Sequence, residues 1–555
     1  MPNASDSSLP SNGGYPDDDD EDEEESPLPT RQLVVLAIIA LAEQTALNSI
    51  APYLPEMASN FPDTEPRRVG LYVGAIGSSF AFAQLLTGYF WGWLSDRIGR
   101  KPVILLGTIL TAICFILFGF CSKLWQALVV QAIMGLVNGN QGVVSTCLGE
   151  ITDRRNQSRA FVWLPVVYGI GGITGPALGG LMVFHNNPFK VGQPNPYPYL
   201  LPNLFAAAVL MVDFVAAALF LEESLEGAQH LAPLSKRVWS LFAWVWQFAA
   251  GSVRPTYLRR GRHHHVTHHD GTGEYDEDDD SSSIASEGES LLSMPELFAN
   301  NAEALTSKNV LNRNTLLLLA TYLVFQLSNI SFNSLYPIFA QAPEPLGRSI
   351  SVKDIGISLS LAGLATILFQ VFVFGRLKGV LGNKSTYRIG LGMFAAAMFL
   401  TPFVSRRSSP PLFGVWTGEV WMWIELSVVL LLKTVASVGG LTSALLLITN
   451  SSPSDGALGA LNGLAQTLSA AGRAIGPIIA GGLFSAATDV RPRGELIPFG
   501  IFGGVALVGF VASFWIKGAQ LESMEYRDGH PEEETDEGEG DDEEGDDEEE
   551  NRRRG

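Results

Sequence analysis

Cysteine is scarce in this chain, and charge is missing from most of its length. The three cysteines in 555 residues, Cys114, Cys121 and Cys147, all fall in apolar runs. Neither a disulfide framework nor a paired-cysteine metal site can be built from them, and they read as packing residues. No glycine-rich phosphate loop is present, which excludes the usual route to ATP-driven work. No nucleophile, base and orienting group can be assembled, so an enzyme is not expected and no cofactor is implied. The N-terminus lacks a charged-then-apolar leader, so insertion is expected to begin at the first apolar run.

What charge there is lies in three places. Of the 57 Asp and Glu residues, 10 fall in residues 1–31, 14 in 222–313 and 18 in 518–555. The net charge of −21 therefore describes segments and not the body of the chain. Between them run apolar stretches long enough to cross about 30 Å of hydrocarbon. Their lengths place spans at 32–56, 70–94, 102–122, 124–149, 161–183 and 200–221, then 314–340, 354–375, 386–405, 420–448, 461–486 and 497–517. A backbone in lipid must satisfy its own hydrogen bonds, and continuous runs choose helices over a barrel. The expected fold is an all-α membrane protein of twelve transmembrane helices in two six-helix bundles, 32–221 and 314–517. The acidic tails, 1–31 and 518–555, and most of the central loop, 222–313, are too polar to fold and read as disordered.

An even number of spans puts both termini and the central loop on one side. Basic residues flanking the spans number 17 on that side against 10 on the other, which makes it cytoplasmic. The loop Asn-x-Ser/Thr triplets at Asn156, Asn383 and Asn450 fall on the same side, away from glycosylation. In the central loop, Val238–Ala250 followed by Arg254, Arg259, Arg260 and Arg262 suits an interfacial helix on an anionic leaflet. The histidines 263–265, 268 and 269 before Asp270 have low-complexity spacing and define no closed metal site. Glu287–Leu292 fits an acidic dileucine signal, so an endosomal or vacuolar membrane is the alternative to the plasma membrane.

The loop after span 2 reads Gly92-Trp-Leu94-Ser-Asp96-Arg97-Ile-Gly99-Arg100-Lys101. Its small residues allow a tight turn, Asp96 can face the positive end of a helix, and Arg100 can reach Glu150 or Asp153 at the end of span 4. Such a latch closes one side. Span 5 carries Gly171, Gly175, Pro176, Gly179 and Gly180, a small-residue face that lets a neighbour approach, with a proline bend. The pattern Gly-x-x-x-Gly-Pro recurs from Gly472 in span 11, an internal repeat relating the two halves. The loop after span 8, Gly375 to Lys384, keeps charge but lacks the Asp, a degenerate second latch.

The loop after span 2 resembles the signature of the major facilitator superfamily position by position. Span 5 resembles the antiporter motif of its drug:proton exchangers, which implies export. Leu41-Ala42-Glu43, Ala51 to Glu56, Glu150-Ile-Thr-Asp153 and Asn462 to Gln466 with Arg473 are similar to the fungal drug:proton antiporters related to zinc-induced facilitator-like proteins. Two departures stand out. Proton-coupled members carry an Arg near where this chain reads Gln131 to Gly135, and the plant cysteine signature between spans 1 and 2 is missing.

Ionisable groups at membrane depth are costly and therefore functional candidates. Glu43 in span 1, Asp213 in span 6, Lys433 in span 10 and Arg473 in span 11 qualify, and a desolvated carboxyl can trade a proton for substrate. Asn48, Asn140, Gln326 and Asn333 are candidates to line the path, since the resemblance implies a cavity between spans 1, 4, 7 and 10; each can equally be interhelical glue. The expected function is proton-coupled export of a small amphipathic organic compound. The alternatives are a uniporter or importer of a small solute, or a transporter-like sensor. The expected partners are the bilayer, a small-molecule substrate and protons, with no nucleic acid and a monomeric state. A C-terminal epitope should become antibody-accessible in intact cells only after permeabilisation; labelling without it would reverse the assigned orientation.

Overall fold

The computed structural model describes residues 30–151, 154–186, 193–224, 312–410, 417–451, 455–517 and 521. The acidic stretches of both tails, Val238–Ala250 and its arginines, the histidine run, Glu287–Leu292 and Asp153 lie outside the described residues. The described residues are helical, as apolar runs in lipid require. Ten of the helices are long and apolar enough to cross a membrane. One of them, Val352–Phe403, has 52 residues and makes two passes, because Gly382 (φ 75°) breaks it. The span 5 helix, Arg154–Leu181, completes twelve passes with its apolar part Val166–Leu181.

Three of the helix starts in the second half carry side-chain caps. Asn312, Ser351 and Thr417 accept the backbone N–H groups of Thr315, Asp354 and Val420, which begin spans 7, 8 and 10. Beyond span 7, Arg348 is buried and donates to the carbonyls of Val404, Pro402 and Gly347 at 2.9–3.0 Å, closing a loop whose backbone would otherwise lack partners. Burial pushes its guanidinium down, to about 10.

Several boundaries differ from the sequence reading: the span 1 helix stops at Asn48, with a short helix Leu54–Asn60 beyond it, and the span 5 helix begins at Arg154. Span 4 is not one helix: Leu124–Val137 ends, Asn138 turns out of helical geometry (ψ 86°), and a second helix runs Asn140–Ile151. Span 2 extends to Ile98 and places the latch residues on its last turn.

Glycine faces organise the packing. In span 5, a Cβ on Gly175 would come within 2.6 Å of the Thr45 carbonyl, and Gly171 and Gly179 press on Gln44 and Ser49, so one face of the motif seats span 1. The adjacent face, Pro176 and Gly180, seats Gly356 of span 8 in the other half. Span 11 repeats the arrangement: Gly472 and Gly476 face Ile330 of span 7, while Pro477 and Gly481 meet Gly74 and Gly70 of span 2. The repeated motif thus serves twice to join a half to itself and to its partner.

Among the described residues, the two halves are hydrogen-bonded along part of these seams. Hydrogen bonds between them run from the Leu71 amide to Ser485 Oγ (2.8 Å), from the Ile478 amide to Ser78 Oγ (3.1 Å) and from Ser360 Oγ to the Ile173 carbonyl (2.7 Å). Arg67 and Asp489 add an ion pair at 3.1 Å. All lie in the half remote from the termini. Toward the termini, Gly88 and Gly92 of span 2, Gly463 of span 11, and Gly375 and Gly379 below span 8 face open space. Span 8 passes through a π-helical turn, Phe369–Phe374, where the seam ends. Among the described residues, the halves therefore meet on the far side and stand apart on the side of the termini.

Gly175→Leu should strain the span 1 contact by roughly 1–3 kcal/mol. Its thermal midpoint in detergent should fall by several degrees, whereas Gly500→Ala, which faces open space, should leave the midpoint unchanged.

Candidate functional site

The break in span 4 creates the first part of the site. Where a helix is interrupted in lipid, the freed carbonyls need donors. Trp91 Nε1 of span 2 donates to the Leu136 carbonyl at 2.7 Å, and Gln84 Nε2 reaches the Asn138 carbonyl at 3.4 Å. Gln84 also donates to Asn138 Oδ1 (2.9 Å), which fixes the amide so that Asn138 Nδ2 donates to Glu43 Oε1 at 2.7 Å. Glu43 is only 4% exposed. A relay of two amides thus holds a buried carboxyl at the junction of spans 1, 2 and 4. Tyr168 of span 5 stands within electrostatic reach of Glu43 and, across the cleft, of Arg473, and faces Gln141 and Ser145 of span 4.

The second half supplies the opposite sign. Arg473 of span 11 lies near Tyr322 of span 7. Gln326 Nε2 donates to Tyr322 and to Ser469 Oγ, both at 3.0 Å, and ties spans 7 and 11. Lys433 Nζ of span 10 donates to Asn333 Oδ1 (2.7 Å) and sits 5.4 Å from the Phe332 ring. The first half thus supplies a buried acid and the second two cations, the three charges of the candidate apex.

Not every predicted residue reaches this apex. Asn48 packs beneath Gly175 in the span 1–span 5 contact. Asn140 Nδ2 donates to Thr108 of span 3 at 3.0 Å, inside the first bundle. Both serve as glue between helices of one half. Asp213 is 2% exposed and faces a groove on the outside of the same bundle. Asn138 is among the polar groups of span 4 that the sequence offers to line the path; Gln84, which orients it, escaped the sequence reading, as did the break itself, whose signal is Asn-Gly at 138–139, a turn dipeptide inside an apolar run.

The gating motif is built as a compact cluster. Gly99 has φ 102°, and Gly382, its counterpart in the second half, is the other positive-φ glycine among the described residues. Arg100 is buried; its Nη2 meets Glu150 Oε1 at 2.7 Å and its Nη1 meets Asp96 and Ser95. Leu94 fills the core beneath, Arg97 lies 4.5 Å from the Trp93 ring, Gly92 faces open space and Lys101 begins span 3. Asp96 does not face a helix end of the other half: it is turned to Arg100, with its side chain 62% exposed where the halves part.

Glu223 completes the cluster and was not singled out from the sequence. Its carboxylate accepts the Arg100 amide at 2.6 Å and would meet any Cβ on Gly99. Ser224 donates to Glu150 Oε2 at 2.8 Å. The first residues after span 6 therefore brace the latch, although composition assigns them to an acidic loop.

A sequence profile described as Major Facilitator Superfamily matches residues 36–343. The "Major facilitator superfamily multidrug transporter mfsB" of Aspergillus fumigatus is 29% identical, over 89% of this chain and 84% of that protein. The "Protein ZINC INDUCED FACILITATOR 1" of Arabidopsis thaliana is 28% identical, over 88% of this chain and 91% of that protein. Among solved structures, a D-xylose-proton symporter shares the fold at a TM-score of 0.56 and 12% identity, covering 89% of this chain and 99% of that one. With this match over more than half its length, on a fold of paired and repeated helix bundles, the chain belongs to the major facilitator superfamily and is a multi-pass membrane transporter.

Proposed function

We propose that the chain exports a small amphipathic organic compound in exchange for protons, by alternating access of the cleft between its halves. The observation that carries this reading is Glu43: a carboxyl within span 1, buried and held by the neutral amide of Asn138. Such a group can gain and lose a proton without unmaking a structural ion pair. The names of the relatives, a multidrug transporter among them, support export of an organic compound.

The arrangement suits a cycle of two states. In the open state described above, Arg100 holds Asp96 and Glu150 within the first half, and Asp96 remains exposed. Closure of this side would bring Asp96 against the second half and make the latch interdomain. A proton entering from the far side neutralises Glu43, and its loss toward the termini's side restores the charge as substrate moves the other way. The termini's side is read as cytoplasmic, the membrane as the plasma membrane and the working unit as a monomer.

In proteoliposomes, Glu43→Gln should abolish the response of substrate flux to an imposed pH gradient while leaving gradient-free counterflow. Substrate flux in the wild type that ignores the pH gradient would establish facilitated diffusion, the reading that Gln131 in place of an Arg favours. Asp96→Asn should insert normally and turn over about tenfold more slowly, the equivalent of ~1.4 kcal/mol; unchanged turnover would remove the latch assignment.

A further inference from the structure

Asp213 lies outside the central cleft and has no role in the cycle above. It sits on span 6, and neither carboxylate oxygen has a hydrogen-bond partner in the protein. An isolated carboxylate in apolar surroundings is costly unless it is neutralised. The titratable group coupled to it is Glu43, another acid. The two hydroxyls nearby are committed elsewhere: Thr174 Oγ1 donates to the Ile170 carbonyl (3.0 Å) and pairs with Thr45 Oγ1 at 2.8 Å. Among the described residues, none supplies the neutralising charge.

The carboxyl forms part of a groove of about 460 Å³ between spans 1, 5 and 6, on the outer surface of the first bundle. Its walls are apolar, with Ile38 and Leu41 on one side and Phe205 and Val209 on the other. A volume of this order holds a small organic molecule. The walls select an apolar body, the floor selects a positive charge, and the opening faces lipid and not the cleft.

We propose that this lateral groove binds amphipathic organic cations from the bilayer, with the cationic head on Asp213 and the apolar body along spans 1 and 6. The bound cation takes the place of the proton that otherwise neutralises the carboxyl, and that proton leaves to solvent. A proton alone would satisfy the charge but leave the groove unused.

The test is equilibrium binding of radiolabelled tetraphenylphosphonium, a permanent cation that carries no proton, to the full chain in detergent without any gradient. The wild type should bind saturably. Asp213→Asn should weaken binding about tenfold or more, as loss of a charge-assisted contact does, and Asp213→Glu should restore part of it. Val209→Trp, which fills the groove and leaves the acid in place, should weaken it as well. Thermal midpoints near that of the wild type show that each variant is folded. A diazirine-bearing phosphonium should label spans 1 and 6. No saturable wild-type binding, full affinity in folded Asp213→Asn, or labelling confined to spans 7, 10 and 11 would overturn the proposal. Because no gradient is used, a failure of proton-coupled flux leaves this result untouched, and the reverse also holds.

Discussion

A backbone in hydrocarbon cannot turn to water for its hydrogen bonds, and the details of this molecule follow from how each interruption of a helix is repaired. The break in span 4 is the clearest case. Ending the helix at Val137 frees carbonyls, and Trp91 and Gln84 of span 2 supply the donors. The same Gln84 orients Asn138, and Asn138 holds Glu43. The repair of the backbone and the construction of the buried acid site are thus one arrangement. At the outer end of the second half, Arg348 plays a comparable part with three carbonyls.

The second constraint is the absence of a hydrophobic force between helices in lipid, which leaves close packing to hold them. Glycine and proline in spans 5 and 11 meet that need twice over, with one face toward span 1 or 7 and the next toward span 8 or 2. Because the faces toward the other half are smooth and the bonds across them few, the halves can part along the seams without unmaking either bundle. The end nearer the termini is where they have parted. The cluster of Arg100, Glu150, Asp96 and Glu223 is held together within the first half.

Much of this was legible in the residues. Apolar length located the spans, because membrane thickness sets a length that composition reveals directly. The glycine motifs were legible because each is a short pattern along one segment: Gly99 serves a turn at positive φ, and Gly175 belongs to a small-residue face whose spacing shows even though its neighbour, Thr45, is far away in the chain. For Asn48 and Asn140 the sequence left two readings open, path lining and glue between helices, for the opposite reason. A polar residue in a span states that it needs a partner, but the direction it points depends on helix rotation, which is set by packing against neighbours. Asn140 points to Thr108 and Asn48 to span 5, and nothing in their own segments says so.

The sequence by itself determined the membrane, the number of crossings, the repeat and the presence of four ionisable groups within the spans, since each of these is fixed by composition or spacing along one segment. Only the tertiary structure decided what those charges do. It set Glu43 on an amide relay, gave Lys433 the Asn333 amide and Arg473 the neighbourhood of Tyr168 and Tyr322, and placed Asp213 in a groove between spans 1, 5 and 6. The physical reason is that a charge in lipid acquires its role from the group opposite it, and in a helix bundle that group comes from another span, hundreds of residues away along the chain.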